Sequence, residues 1–213
     1  MKLKRLLTAA LSAALALSLC AMPAMAEDGS TTAGTGTTTG TLKIATAIDW
    51  NQTGSLTIHK YETNSVPTTT DPTDNGEPST VPGGKPLNGV TFTLYKVESV
   101  DWLKKYYQGD STEPVPNVEN YYRNGALVNP TTSVAKTVVT GTDGDGTAVA
   151  SGLELGLYLV VETKKPDAVK QAAEPFLVSI PMTSVDKLNW LYDVTVNPKN
   201  VTKYGAATLK KVG

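Results

Sequence analysis

Cysteine is almost missing, with Cys20 alone among 213 residues. A chain with one cysteine can neither close an internal disulfide nor build a thiolate metal cluster. Histidine is as scarce: His59 is the only one, which leaves little for a His-ligated metal centre or a Ser-His-Asp arrangement. Neither a phosphate-binding Gly-rich lysine loop nor a nucleophile elbow occurs. Charge of one sign is missing too, with 19 basic residues against 20 acidic, so no basic excess points to nucleic acid. No cofactor, metal, nucleic acid or small-molecule substrate is expected, and an enzyme is not expected.

The first 26 residues are organised differently from the rest. Lys2, Lys4 and Arg5 form a basic start, Leu6 to Met22 is almost uncharged and apolar, and Ala24-Met25-Ala26 supplies small residues at a cleavage site. This is the pattern of a secretory signal peptide (residues 1–26) cut before Glu27. The run is short for a membrane span, and Leu19 stands where a lipoprotein signal at Cys20 needs a small residue. Removal of the signal also removes Cys20 and leaves 16 basic against 20 acidic residues, a net charge of −4. An exported chain without disulfides needs another source of robustness.

Residues 27–53 read as a flexible leader and the start of a domain, with Gly and Thr concentrated in 29–42. From Gly54 onward, short alternating runs are separated by turn residues, the signature of β-sheet. The spacing predicts strands over Ser55–Tyr61, Val90–Val97, Ser133–Thr140, Leu157–Thr163, Phe176–Ile180 and Tyr192–Pro198. Asn64 to Lys85, rich in Pro, Thr and Asp, reads as a long surface loop. Val100–Gln108 suits a short helix with Trp102, Leu103 and Tyr106 on one side. A second helical or irregular insertion over 116–127 carries Tyr121 and Tyr122. Gly141-Thr-Asp143-Gly-Asp145-Gly146 lacks the further carboxylates of a calcium loop and reads as a tight turn. Many short strands and little helix predict an all-β sandwich of immunoglobulin-like type with short helical insertions. Residues 54–202 form this domain. Residues 203–213 read as a linker and the first strand of a further domain, and the far end holds no apolar span or sorting signal, so the chain is expected to continue.

Strand alternation assigns faces to the polar residues. In Ser55–Tyr61, Lys60 shares its face with Leu56 and Ile58, whereas Thr57 and His59 point the other way. Two readings are open for Lys60: a buried amine with a depressed proton affinity, or a strand-end lysine whose amine reaches water. In Leu157–Thr163, Glu162 shares a face with Tyr158 and Val160, while Leu157, Leu159 and Val161 line the opposite one. Glu162 is likewise either an inner carboxyl, for which burial favours the neutral acid, or a surface residue at a strand end. In the last stretch Tyr192, Val194, Val196, Pro198 and Asn200 share one face. Asp193, Thr195, Asn197 and Lys199 share the other, which puts Lys199 toward solvent. A neutral amine, a protonated carboxyl and an amide on inner faces make a reactive set. The amine can attack the amide carbon while the acid polarises the carbonyl and moves protons, leaving a Lys–Asn isopeptide bond and ammonia.

Three separated stretches resemble the backbone (major) pilins of Gram-positive sortase-assembled pili, a group with domains of the Cna protein B type. Trp190-Leu-Tyr-Asp-Val194-Thr-Val196-Asn-Pro198-Lys199-Asn200 is similar to the pilin motif. Gly156-Leu-Tyr-Leu-Val-Val-Glu162-Thr163 is similar to the E-box, and Gly54–Glu62 with Pro86–Lys96 is similar to the opening of the first pilin domain. The resemblance covers about residues 50 to 202 and implies roles. Lys199 is the nucleophile that a pilin-specific sortase joins to the neighbouring subunit. Lys60 and Asn200 are the partners of an internal isopeptide bond, with Glu162 catalysing it. The implied protein is a secreted, cell-wall-associated pilus (fimbrium) subunit whose partners are other pilin subunits and the sortase. The sequence departs from the pattern at Lys164-Lys165-Pro166-Asp167, and at Asn197, where a Tyr is usual; Asn197 is expected to face outward and to matter little to the core. The competing reading is an adhesin or ancillary pilin that displays the 64–85 loop and the 100–126 insertion to a host surface ligand.

Overall fold

The strand that opens the fold, β1 (Thr53–His59), alternates inward and outward as its sequence dictates, and Leu56 and Ile58 are fully buried. The computed structural model describes residues 47–63, 76–77, 85–108, 115–141 and 144–202, without the side chains of Thr63 and of residues 199–202. The signal peptide, the 29–42 stretch, most of the 64–85 loop and residues 203–213 lie outside the described residues. The order continues with β2 (Tyr61–Thr63), β3 (Lys85–Pro86), β4 (Thr91–Glu98), α1 (Val100–Tyr107), α2 (Val118–Tyr121), β5 (Tyr122–Arg123), β6 (Ala126–Leu127) and β7 (Val134–Val139). It ends with β8 (Thr147–Glu154), β9 (Gly156–Lys164), β10 (Val169–Gln171), β11 (Phe176–Ile180), β12 (Met182–Thr183), β13 (Trp190–Leu191), β14 (Asp193–Val196) and β15 (Lys199–Thr202).

Two sheets face one another across the main core. One has the order β14-β1-β8 and the other β11-β9-β4-β7. Leu56, Ile58, Ala150 and Val194 from the first meet Phe92, Leu94, Tyr158, Val160 and Val178 from the second. This is the all-β sandwich that the alternating runs predict. β1 pairs in parallel with β14, Leu56 lying opposite Val194. Past Lys60 the same two runs of chain continue side by side, now as β2 and β15, again in parallel with Tyr61 opposite Lys199. β10 and β3 flank them to give the order β10-β15-β2-β3.

β9 is apolar on both faces because both are covered. Its second face, Leu157, Leu159 and Val161, joins Leu177 of β11 in a separate cluster roofed by Trp102, Val118, Tyr121, Tyr122 and Leu127. The aromatic residues of the 100–127 insertion therefore serve as packing. α1 starts at an N-cap where the Ser99 hydroxyl accepts from the Trp102 amide at 3.2 Å. Leu103 is fully buried. Tyr107 holds the helix C-terminus down: its hydroxyl donates to the Pro181 carbonyl, 3.0 Å away, and lies 3.0 Å from Ser179 Oγ. Its ring meets the Trp190 ring edge-on at 4.7 Å. The 116–127 stretch resolves into α2 and a β5–β6 hairpin, whose Asn124 and Gly125 both have positive φ, as a tight two-residue turn demands.

Two expectations need correction. Asn197, expected outward, is 2 % exposed, and Thr195 on the same face is 7 % exposed. Gly76, from within the predicted surface loop, forms an isolated antiparallel bridge beside Thr195 and accepts its amide at 2.8 Å, so β14 is not a bare edge at that point. The loop is thus not wholly superficial, since Gly76 is buried and Glu77 accepts from the Val185 amide at 2.9 Å. Packing also begins before Gly54, with Ile48 and Trp50 against the main core.

Candidate functional site

Lys60 occupies the single-residue gap between β1 and β2, and its backbone is fastened by loops. Its amide donates to the Gly146 carbonyl at 2.9 Å, and its own carbonyl accepts from the Leu87 amide at 2.8 Å. Gly146 makes this possible: with φ +74°, it comes so close that a β-carbon there would sit 2.5 Å from the Lys60 carbonyl oxygen. Asn88 holds that turn in place by accepting from the Gly146 amide at 2.8 Å. Alternation along β1 then sends the Lys60 side chain into the core, where it is completely buried.

The ammonium meets one charged partner there. Lys60 Nζ lies 3.1 Å from Glu162 Oε2, and neither side chain has any exposed surface. The contact is a close ion pair rather than a well-aligned hydrogen bond. The Phe92 ring faces the amine, its centroid 5.4 Å from Nζ. Glu162 projects from the end of β9 into the same space, on the face that carries Tyr158 and Val160. The same Oε2 also accepts the Ala173 amide at 3.0 Å. Burial pushes the Lys60 amine down from 10.5 to about 8; the nearby Glu162 charge pulls it back only in part. Lys60 therefore gives up its proton far more readily than an exposed lysine does, and the neutral amine is a nucleophile.

The backbone brings Asn200 to this place. In the parallel β2–β15 pairing Asn200 lies opposite Glu62, two residues beyond Lys60. On its other side β15 pairs with β10, Val201 lying opposite Gln171. Lys199 is the immediate neighbour of Asn200, opposite Tyr61. The side chains of Lys199 and Asn200 lie outside the described residues. Of the remaining pilin-motif positions, Val194 and Val196 are core residues, Pro198 is half-buried, and Trp190 packs on Tyr107. The residue that sequence reasoning missed is Ala173: it acts through a backbone amide, which leaves no trace in residue type. Among the described residues no group of three or more His, Cys, Asp or Glu side chains is placed to hold a metal ion, and no helix is long and apolar enough to cross a membrane.

Residues 51–201 match the family described as Gram-positive pilin subunit D1, N-terminal domain. The chain belongs to this family. It is 36 % identical over 163 residues to the fimbrial subunit type 2 of Actinomyces naeslundii, a match that covers 69 % of this chain and 29 % of that protein. It is 35 % identical to the full-length major pilin SpaD of Corynebacterium diphtheriae with a TM-score of 0.55, over 73 % of this chain and 34 % of SpaD. It is 28 % identical to the SpaA pilin of the same organism in a pilin–signal peptide complex, again with a TM-score of 0.55, over 71 % of this chain and 99 % of that one. The match thus spans about a third or less of the curated relative and of SpaD. The resemblance drawn from the three sequence stretches stands, and with it the class: a pilin family of structural subunits rather than an enzyme family.

Proposed function

We propose that this chain contributes a building block to a covalently polymerised surface pilus, with Lys199 as the polymerisation point and a Lys60–Asn200 bond as internal reinforcement. The observation that carries the reading is the fully buried Lys60–Glu162 pair at 3.1 Å, set beside a strand that carries Asn200 in register two residues further on. A buried pair of this kind costs several kcal/mol per ion in desolvation and seldom repays it through attraction alone. A pair that reacts has a reason to be there. Proton transfer from the ammonium to Glu162 leaves an amine and an acid. The amine attacks the Asn200 side-chain carbonyl, the carboxylic acid polarises it, and the former amide nitrogen leaves as ammonia as the Lys–Asn bond forms.

Lys199 is the sortase-reactive lysine in this reading. It sits in the pilin motif, one residue from Asn200, so one strand serves both the internal and the external linkage. The similarity to a SpaA pilin that was solved with a signal peptide supports a domain that accepts a peptide. In this reading a signal peptide over 1–26 precedes a leader and start of domain over 27–53, where Ile48 and Trp50 already pack on the core, and the pilin domain runs over 54–202. The insertion half of the display reading loses support, because Trp102, Tyr121 and Tyr122 pack onto β9 and β11; most of the 64–85 loop lies outside the described residues.

Intact-mass measurement of the purified chain tests the internal bond. The expected result is a mass short by one ammonia, restored in Lys60→Ala, Glu162→Ala and Asn200→Ala. A full mass in the parent chain would refute it. For the external link, Lys199→Ala is expected to abolish high-molecular-weight polymers on the cell surface; polymers that persist without Lys199 would assign the chain an ancillary place.

A further inference from the structure

Glu162 stands on β9, in the sheet β11-β9-β4-β7, whereas Asn200 stands on β15, in the sheet β10-β15-β2-β3. Among the described residues no strand pairing joins the two sheets directly, so something else must set the carboxyl against the strand that holds the amide. On the lysine side the connection is covalent and short: β2 begins at Tyr61, the residue after Lys60, and lies beside β15. On the glutamate side it runs through the other neighbour of β15. β10 pairs with β15 through Val169 opposite Thr202 and Gln171 opposite Val201. Two residues past Gln171, the Ala173 amide donates to Glu162 Oε2 at 3.0 Å. β10 is itself anchored, with Val169 1 % exposed and its carbonyl accepting from Lys165 Nζ at 2.5 Å.

We propose that the Ala173 backbone amide is a positioning group for isopeptide formation, tying the Glu162 carboxyl to the β10–β15 pairing so that the acid and the Asn200 strand come into register together. The inference rests on the internal bond of the preceding section and adds the group that aims its catalyst. The Ala173 amide and the Lys60 ammonium share one carboxylate oxygen, so the amide holds that oxygen in place against the amine. A charged acceptor makes this the stronger kind of hydrogen bond, and misplacement by 1 Å costs a reaction of this type up to about a hundredfold in rate. An amide donor is also available whatever side chain stands at the position, provided that it is not proline.

The experiment follows ammonia loss by intact mass over time in freshly synthesised chain. Ala173→Gly keeps the N–H and is expected to match the parent rate within about twofold; Ala173→Pro lacks it and is expected to be slower by at least about tenfold. A double-mutant cycle separates aim from fold. In chains that also carry Glu162→Ala, the proline and glycine variants should unfold at the same temperature, because the amide then has nothing to hold. If proline lowers that temperature with Glu162 absent, the amide serves the fold and the inference fails. Should the proline variant not fold, the amide proton of Ala173 in Asn200→Ala chain gives a second test. It is expected downfield and should move upfield when Glu162→Ala is added; a resonance that stays put overturns the assignment. A parent chain of full mass overturns the internal-bond reading and this inference with it. A parent that loses ammonia, alongside an Ala173→Pro chain that loses it equally fast, overturns this inference alone.

Discussion

Two lysine–glutamate pairs in this domain look alike on paper and differ in almost everything else. Lys96 and Glu154 approach to 2.7 Å at the surface, with side chains 24 % and 80 % exposed; Lys60 and Glu162 stand at 3.1 Å with no exposure at all. The shorter contact is the weaker device. Water and salt screen the surface pair, which also spends side-chain entropy to hold one geometry. Its visible effect is to hold the Glu154 carboxyl below its usual range through the Lys96 hydrogen bond. In the buried pair desolvation dominates and drives the lysine toward neutrality. Burial, more than distance, decides whether such a pair is decoration or chemistry.

The contrast can be broken in order of expected size. The largest effect is expected from Glu162→Ala in a chain that also carries Asn200→Ala, so that no covalent bond obscures the result. Stranding the Lys60 charge should cost about 3–5 kcal/mol in chemical denaturation, and Lys60→Met in the same background should recover most of it. Next comes pH. In Asn200→Ala chain the folded state holds the Lys60 proton less tightly than the unfolded state does, so between about pH 8 and 10.5 the unfolded state binds more protons. Stability relative to a Lys60→Met control should therefore rise with pH across that window, and a flat difference would contradict the burial argument. Gly146→Ala follows. It forces a side chain into a left-handed backbone and against the Lys60 carbonyl, at a cost of at least about 1–2 kcal/mol, with slower ammonia loss in the otherwise native chain. Smallest is Glu154→Gln at the surface: its unfolding midpoint should move least of the four, and the difference should vanish in about 1 M salt.

Much of this arrangement was legible before any coordinates, because it depends on period-two alternation. The faces of Leu56, Ile58 and Lys60, and of Tyr158, Val160 and Glu162, follow from counting by twos along strands long enough to keep register. Phe176–Ile180 is a strand with the limits expected of it. What escaped has physical causes. β8 was not anticipated because its pattern is inverted in size: small Ala148 and Ala150 face the core, whereas the larger Val149 is 53 % exposed. The hairpin at Asn124-Gly125 did carry a recognisable turn signal, but the aromatic run before it reads equally well as helix. Asn197 and Thr195 defeated alternation because counting by twos assigns a face without saying whether that face is covered; the Gly76 bridge beside Thr195 comes from more than a hundred residues away. The Ala173 amide could not be seen at all, since residue type does not report a backbone donor.

One feature of the topology bears on when the domain can be completed. β1 and β14 are parallel neighbours, and Ser55 meets Asp193 at a sequence separation of 138. A polypeptide that emerges amino end first must leave its opening strand unpaired on that side until almost the entire domain has emerged. Such distant pairings are slow to form and exposed to misassembly in the interval. If Lys60 and Asn200 then join, the bond becomes a permanent record that the last strand found the first. A subunit could carry that mark only after its whole domain had been assembled.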